Sequence, residues 1–352
     1  MTMRTAMRLA AGGAVVIAGA CGADDVGADA PTSGWVPRTA LAEPISDNAV
    51  AAVSADGRCT LYSVLGIDAS RASSGIHARG YVLDGGLWRV LPDAPGGGRI
   101  AASAVSLRGR VYVLGGYSVA STGAETSHAE VDVYDPDAGT WSEAMPLPTP
   151  IDDAVAVAWQ DRWIVVVSGW SNMQPVAAVQ IYDADTGAWA SGTAFPGTPV
   201  FGHAGSIAGD QLVMIDGVAT GPGGFTLIDQ AWKATLDPTA PTVIRWESLG
   251  RHPGPARYRA AAGAIGMTIL WAGGTSAPYN YDGLSYATDQ PSPPLAETLT
   301  FDVASGTFGA SLTAPMPTMD HRGMVGCGDT LTIIGGMTSG PRVTSEVWEL
   351  RP

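Results

Sequence analysis

At 352 residues the chain is long enough for a large core, and 46% hydrophobic content beside 46 glycines and 25 prolines favours many short strands over helices. A formal net charge of −14 excludes a nucleic-acid-binding surface, because phosphate contact needs clustered positive charge. Lys233 is the only lysine, which confines lysine chemistry to one position.

The N-terminus reads as a processing segment. Arg4 and Arg8 precede an apolar stretch, residues 9–20, that ends in small residues and Cys21 (IAGAC). It is too short to span a bilayer, and its charge, length and small-residue end fit a secretory signal. The Ala18-Gly19-Ala20-Cys21 ending resembles the bacterial lipoprotein signal, in which the cysteine is lipidated and becomes the mature N-terminus. That resemblance implies a signal over 1–21, a lipid on Cys21, membrane attachment through it and an address in the bacterial cell envelope. Ala18 stands where leucine is usual, so an ordinary cleaved signal stays open. Residues 22–34 lack core formers and read as a flexible tether. With Cys21 assigned to lipid, Cys59 and Cys327 form an even pair in an oxidising compartment. Both fall near the turn from a first to a second strand, which makes a disulfide the expectation and two buried thiols the alternative.

From there a repeat runs to the end of the chain. Residues 110–117 (RVYVLGGY) are an apolar strand stopped by two glycines, and related strands end at Gly66, Gly169, Gly217, Gly274 and Gly336. Successive gaps of 50, 53, 48, 57 and 62 residues fit propeller blades of the longer repeat classes. Aromatic pairs seven apart recur in phase at Tyr81/Trp88, Tyr134/Trp141, Tyr182/Trp189 and Phe301/Phe308, with Trp232/Trp246 as a stretched version. Trp348 begins a last pair whose partner strand is missing, and residues 35–44 (WVPRTALAEP) supply a spare strand at the other end. The chain therefore resembles the kelch-repeat family, with a degenerate motif: three of the six strands end in two glycines. The expected fold is all-β, a six-bladed propeller over 35–352, its last blade completed by the N-terminal strand so that no sheet edge stays open.

Kelch-type topology gathers the loops between strands two and three, and those between blades, on one face. Candidate ligand-binding residues at the channel mouth there are Arg99, Asp152, Asp153, His203, Arg257, Arg259, His321 and Arg322, with Asn48 beside them. Trp170, Phe225, Tyr279, Tyr281 and Tyr286 add aromatic surface, three of them in the long loop 275–295, and would stack on a flat ligand or a sugar ring. The competing reading is that these arginines bond carbonyls or neighbouring acids and serve only the fold.

Two D-x-D-x-G stretches, 135–139 and 183–187, fall where the repeat demands a hairpin and lack the further acids of a calcium loop. The five histidines show no H-x-H or HExxH spacing, so neither metal nor cofactor is expected. Kelch relatives include the galactose oxidase group, whose cysteine–tyrosine crosslink has no counterpart on the loop face here, and sialic acid mutarotase, with which the resemblance stops at the fold. The expectation is a monomeric module that binds a protein or glycan on the loop-rich face. The alternative is a cofactor-independent sugar epimerase or mutarotase, using Asp152 or Asp153 with Arg99, Arg257 or Arg322. Fold alone licenses no reaction.

Overall fold

A computed structural model describes residues 34–309 and 313–351; the signal and tether expectations, Cys21 included, lie outside the described residues. Six four-stranded antiparallel sheets succeed one another along the chain. Blade one is built from Ala49–Ala55, Arg58–Val64, Gly80–Asp84 and Leu87–Leu91. Blades two to five repeat that order, starting at Ser103–Leu107, Val155–Trp159, Ala204–Ala208 and Ala261–Ile265. Blade six takes Val325–Cys327, Thr330–Ile334 and Val347–Arg351 from the C-terminus and its outer strand, Gly34–Pro37, from the N-terminus. The closing strand is shorter than residues 35–44; after Pro37 only single bonds continue, from Arg38 N–H to the Val347 carbonyl and from Leu41 N–H to that of Ser345. One short 3-10 turn, Ser73–Gly75, is the only helix among the described residues.

The repeated glycine has a steric cause. The last residue of each glycine signal has φ between +84° and +114° in all six blades. A Cβ added at Gly66 would sit 2.7 Å from the Ser46 carbonyl oxygen, and one at Gly336 2.3 Å from the His321 ring. The residue before it is also left-handed in every blade; Leu65, Ser168 and Asp216 occupy it in blades one, three and four, whereas a Cβ added at Gly115, Gly273 or Gly335 would meet a backbone carbonyl oxygen at 2.1–2.3 Å.

Outer-strand tryptophans tie blades one to four each to the one before. Trp141 Nε1 donates to the Pro92 carbonyl and Trp189 Nε1 to that of Met145, both at 2.8 Å, while Trp246 reaches Thr193 at 3.2 Å. Trp88 does the same across the ring closure, donating to the Thr39 carbonyl at 2.8 Å. Each indole thus fills the wedge between blades and places its one donor on a carbonyl that the strands leave unpaired. Tyr134/Trp141, Tyr182/Trp189 and Phe301/Phe308 pair directly across their hairpins, with ring centroids 4.8–5.2 Å apart. Two expected pairs do not: Trp88 lies opposite Leu83, and the register of the longer hairpin in blade four sets Trp246 opposite Ala234 and Trp232 opposite Ser248. A disulfide joins Cys59 to Cys327, Cα atoms 5.9 Å apart, so blades one and six are linked covalently as well as by the exchanged strand.

Candidate functional site

The first strands of the blades line the central channel with small residues, among them Ala52, Ala104, Ala156, Gly205, Ala262 and Gly326. Just before each first strand one residue adopts φ between +52° and +68°: Asp47, Ala101, Asp153, Gly202, Arg259 and Asp320. Five backbone bonds link these positions around the axis, from Asp47 N–H to the Asp320 carbonyl, on through Arg259, Gly202 and Asp153 to Ala101, at 2.8–3.2 Å. Three of the six are aspartates, among the residues that tolerate the left-handed region best, and their side chains meet two arginines there.

Arg259 pairs with Asp153 through two bonds of 3.0 and 2.6 Å and with Asp320 through one of 2.9 Å, all buried. Arg322 pairs with Asp153, and Tyr279 Oη donates to Asp320 at 2.9 Å. Asp47 meets Arg322 at 3.1 Å and Arg259 at 3.3 Å as charge contacts without aligned hydrogen bonds. Burial pushes the Asp47 carboxyl up to about 7 against the pull of Arg259. Burial also acts on Asp153, but Arg259 and Arg322 together hold it below its ordinary value. Three carboxylates against two guanidiniums leave one excess negative charge, which favours uptake of a proton by the cluster as a whole.

Above this cluster the loop face is sealed by aromatic rings. Tyr279 packs on Tyr258 at 5.2 Å, Tyr258 on Phe201 at 5.6 Å, Phe201 on Phe225 at 5.6 Å, and Phe225 on Tyr286 at 4.3 Å. Trp170 flanks the series, 5.2 Å from Phe201 and 5.9 Å from Phe225. The series runs from the buried axis to the surface, where Phe225 and Tyr286 are each 38% exposed. Glu125 stands exposed on the same face, its carboxyl raised by desolvation while Arg259 beneath pulls the other way.

This geometry corrects the expected arginine-lined mouth. Asp153, Arg259, Arg322 and Tyr279 converge but are buried and paired with one another. Arg99 is fully buried against Asp132 at 2.5 Å, and Arg257 reaches the carbonyls of Glu297 and Gly273, so both serve the fold. Asp152 is buried against Ser127 Oγ at 2.6 Å and raised well above the carboxylate range by desolvation, then by Asp153. Asn48 bonds Ser63 inside blade one. His203 and His321 line a small cavity beneath the ring together with Arg322, and burial pushes both down to about 4, so they are neutral. Tyr281 is half-buried in the aromatic cluster. The D-x-D-x-G stretches are hairpins: Asp135 accepts from the N–H groups of Asp137 and Ala138, and Asp183 is held by Arg162.

Sequence reasoning missed Asp47, Glu125 and one further cluster. Asp47 shares its place before strand one with Asp153 and Asp320, and aligning blades there would have found it. Asp216, Asp229 and His252, each from a different segment of blade four, bring ligand-type atoms within 4.8 Å of one another. Spacing along the chain cannot show this, because the three lie 13 and 23 residues apart.

Comparison with known proteins agrees with the architecture. Residues 98–148 match the Kelch motif family model. A solved structure described as "Structure of YjhT" superposes with a TM-score of 0.71 over 88% of this chain and 95% of that one, at 18% identity. At that identity the likeness concerns the fold. No curated protein sequence matches significantly.

Proposed function

We propose that this kelch-type propeller is an exported, lipid-anchored binding module whose loop-rich face takes up a glycan or a protein partner. The observation that carries the reading is the aromatic series ending in exposed Phe225 and Tyr286 on a base fixed by the buried Arg–Asp cluster. Exposed rings on a rigid support offer flat apolar area with little ordering cost, which suits sugar stacking or an aromatic-rich protein contact. Glu125 adds an acceptor for hydroxyl or amide donors at the same face. A glycan array probed with the purified chain tests the glycan arm, and affinity capture on the immobilised chain tests the protein arm. Ligands retained by the parent and lost by Phe225→Ala support the proposal; ligands held equally by both count against it.

A second reading, a cofactor-independent sugar isomerase or mutarotase, is favoured by one observation. Asp47, raised to about 7 by burial, faces Arg322, and Arg322 lines the cavity that continues the channel from the opposite face. A carboxyl that exchanges a proton near neutrality beside an arginine is what such chemistry needs. Catalysed mutarotation abolished by Asp47→Asn would favour this reading over the binding module.

A further inference from the structure

We propose that Asp216, Asp229 and His252 form a binding site for a divalent transition-metal ion of the zinc class. The propeller supplies its own comparison. The places of Asp229 and His252 are held by Ala129 and Leu147 in blade two, Ala177 and Phe195 in blade three, and Ala296 and Ala314 in blade five. In those blades a backbone bond of 2.8–3.0 Å joins the pair, so the positions adjoin by construction, and the second residue of each precedes a proline, as His252 precedes Pro253. The place of Asp216 holds Gly115, Ser168 and Gly273 in the same blades. Small and apolar residues thus meet there in three blades, and a histidine and two aspartates meet in the fourth. Folding of the repeat does not require that change.

The imidazole is set up as a ligand. His252 Nδ1 lies 2.8 Å from the Pro253 carbonyl, which only accepts, so the proton sits on Nδ1. Nε2 then presents its lone pair toward Asp216, at 3.0 Å from Oδ1 and 2.8 Å from Oδ2. A lone pair facing a carboxylate is repulsive unless a cation lies between them or a second proton is taken up. Ring orientation by a carbonyl on the far nitrogen is the usual arrangement behind a metal-bound histidine. Asp216 is oriented in turn by the Arg257 N–H at 2.9 Å. Asp229 Oδ1 is buried without a hydrogen-bond partner, while its Oδ2 meets the exposed Arg251 at 3.4 Å.

One imidazole and two carboxylates, with a fourth position open, is a donor set that zinc and its neighbours accept. The side chain of Asp229 is 30% exposed and supplies the entry path. The rival account is an imidazolium held between Pro253 and Asp216, and it leaves the buried oxygen of Asp229 unexplained.

Zinc titration by calorimetry of the tag-free, chelator-treated chain decides between them. One equivalent should bind to the parent, at least tenfold more weakly to Asp229→Asn and to His252→Gln. Asp229→Asn is nearly isosteric and partly exposed, so an unchanged melting temperature in chelator keeps the comparison clean. Nitrogen NMR of the zinc-treated parent should show His252 with a proton on Nδ1 alone. No stoichiometric binding, equal binding by Asp229→Asn, or a doubly protonated His252 with zinc present would overturn the proposal.

Discussion

Arg259 and Asp153, 106 residues apart, share a two-bond ion pair at 3.0 and 2.6 Å that ties blade five to blade three. With Arg322, Asp47 and Asp320 it forms a buried network whose members are all within the protein's own reach. Removing one partner of such a network leaves uncompensated charge. Arg259→Met is therefore expected to cost roughly 3–5 kcal/mol of stability, read as a shift of the denaturant midpoint. A midpoint unchanged from the parent would mean that the cluster is solvated and available to ligands.

The indole donors between blades give a smaller, local effect. Trp141→Phe keeps an aromatic in the wedge and removes the bond to the Pro92 carbonyl. A loss of about 1 kcal/mol is expected, measured by urea unfolding. No measurable loss would show that water replaces the indole donor at no cost.

Acid should act through the two neutral histidines under the ring. His203 and His321 are depressed from 6.5 to about 4, so the unfolded chain binds protons that the folded one refuses. Their stabilisation is fully present above pH 6.5 and is lost as pH falls through 4. Asp47 has the opposite sign. Its raised value favours the folded state below pH 3.8, and that contribution fades as pH rises through about 7. Between pH 7 and 4, His203→Gln should lose roughly 3 kcal/mol less than the parent, and Asp47→Asn should lose more. Parallel stability curves for all three proteins would contradict the assigned burial.

The anchor is tested separately. In the native host, the parent chain should fractionate with membranes and Cys21→Ser with the soluble phase, because one diacyl attachment buries many methylenes at about 0.8 kcal/mol each. A parent found in the soluble phase would remove the lipid anchor from the account.

Much of the fold was legible because sterics repeat in every blade. The second glycine of each signal admits no Cβ, so all six survive in the sequence; the first tolerates Leu65, Ser168 and Asp216, which is why the double glycine is degenerate. Aromatic spacing misled where hairpins differ. Tyr134 and Trp141 flank a four-residue connection between Asp135 and Thr140, whereas Asp84 pairs with Leu87 across two residues, so the same spacing puts Tyr81 opposite Val90. The charges of the site were legible and their burial was not. Whether Arg259 faces solvent depends on Tyr258 and Tyr279 folding over it from loops of blade five, a tertiary event without local signature. The grouping of Asp216, Asp229 and His252 has no local spacing to reveal it and shows only when the equivalent positions of the other blades are aligned.

Binding at the loop face is the central claim, and paired affinity measurements on any ligand recovered from the glycan array or the capture experiment test it most directly. Phe225→Ala with Tyr286→Ala removes the exposed end of the aromatic series, while Asp135→Asn with Asp183→Asn alters only hairpins on the opposite face. Loss of a stacked ring costs roughly 1–2 kcal/mol, so the first pair should weaken binding at least tenfold. The second pair should leave the dissociation constant within twofold of the parent. Unchanged affinity in the aromatic pair, with loss in the hairpin pair, would contradict the account and move the site to the other end of the channel.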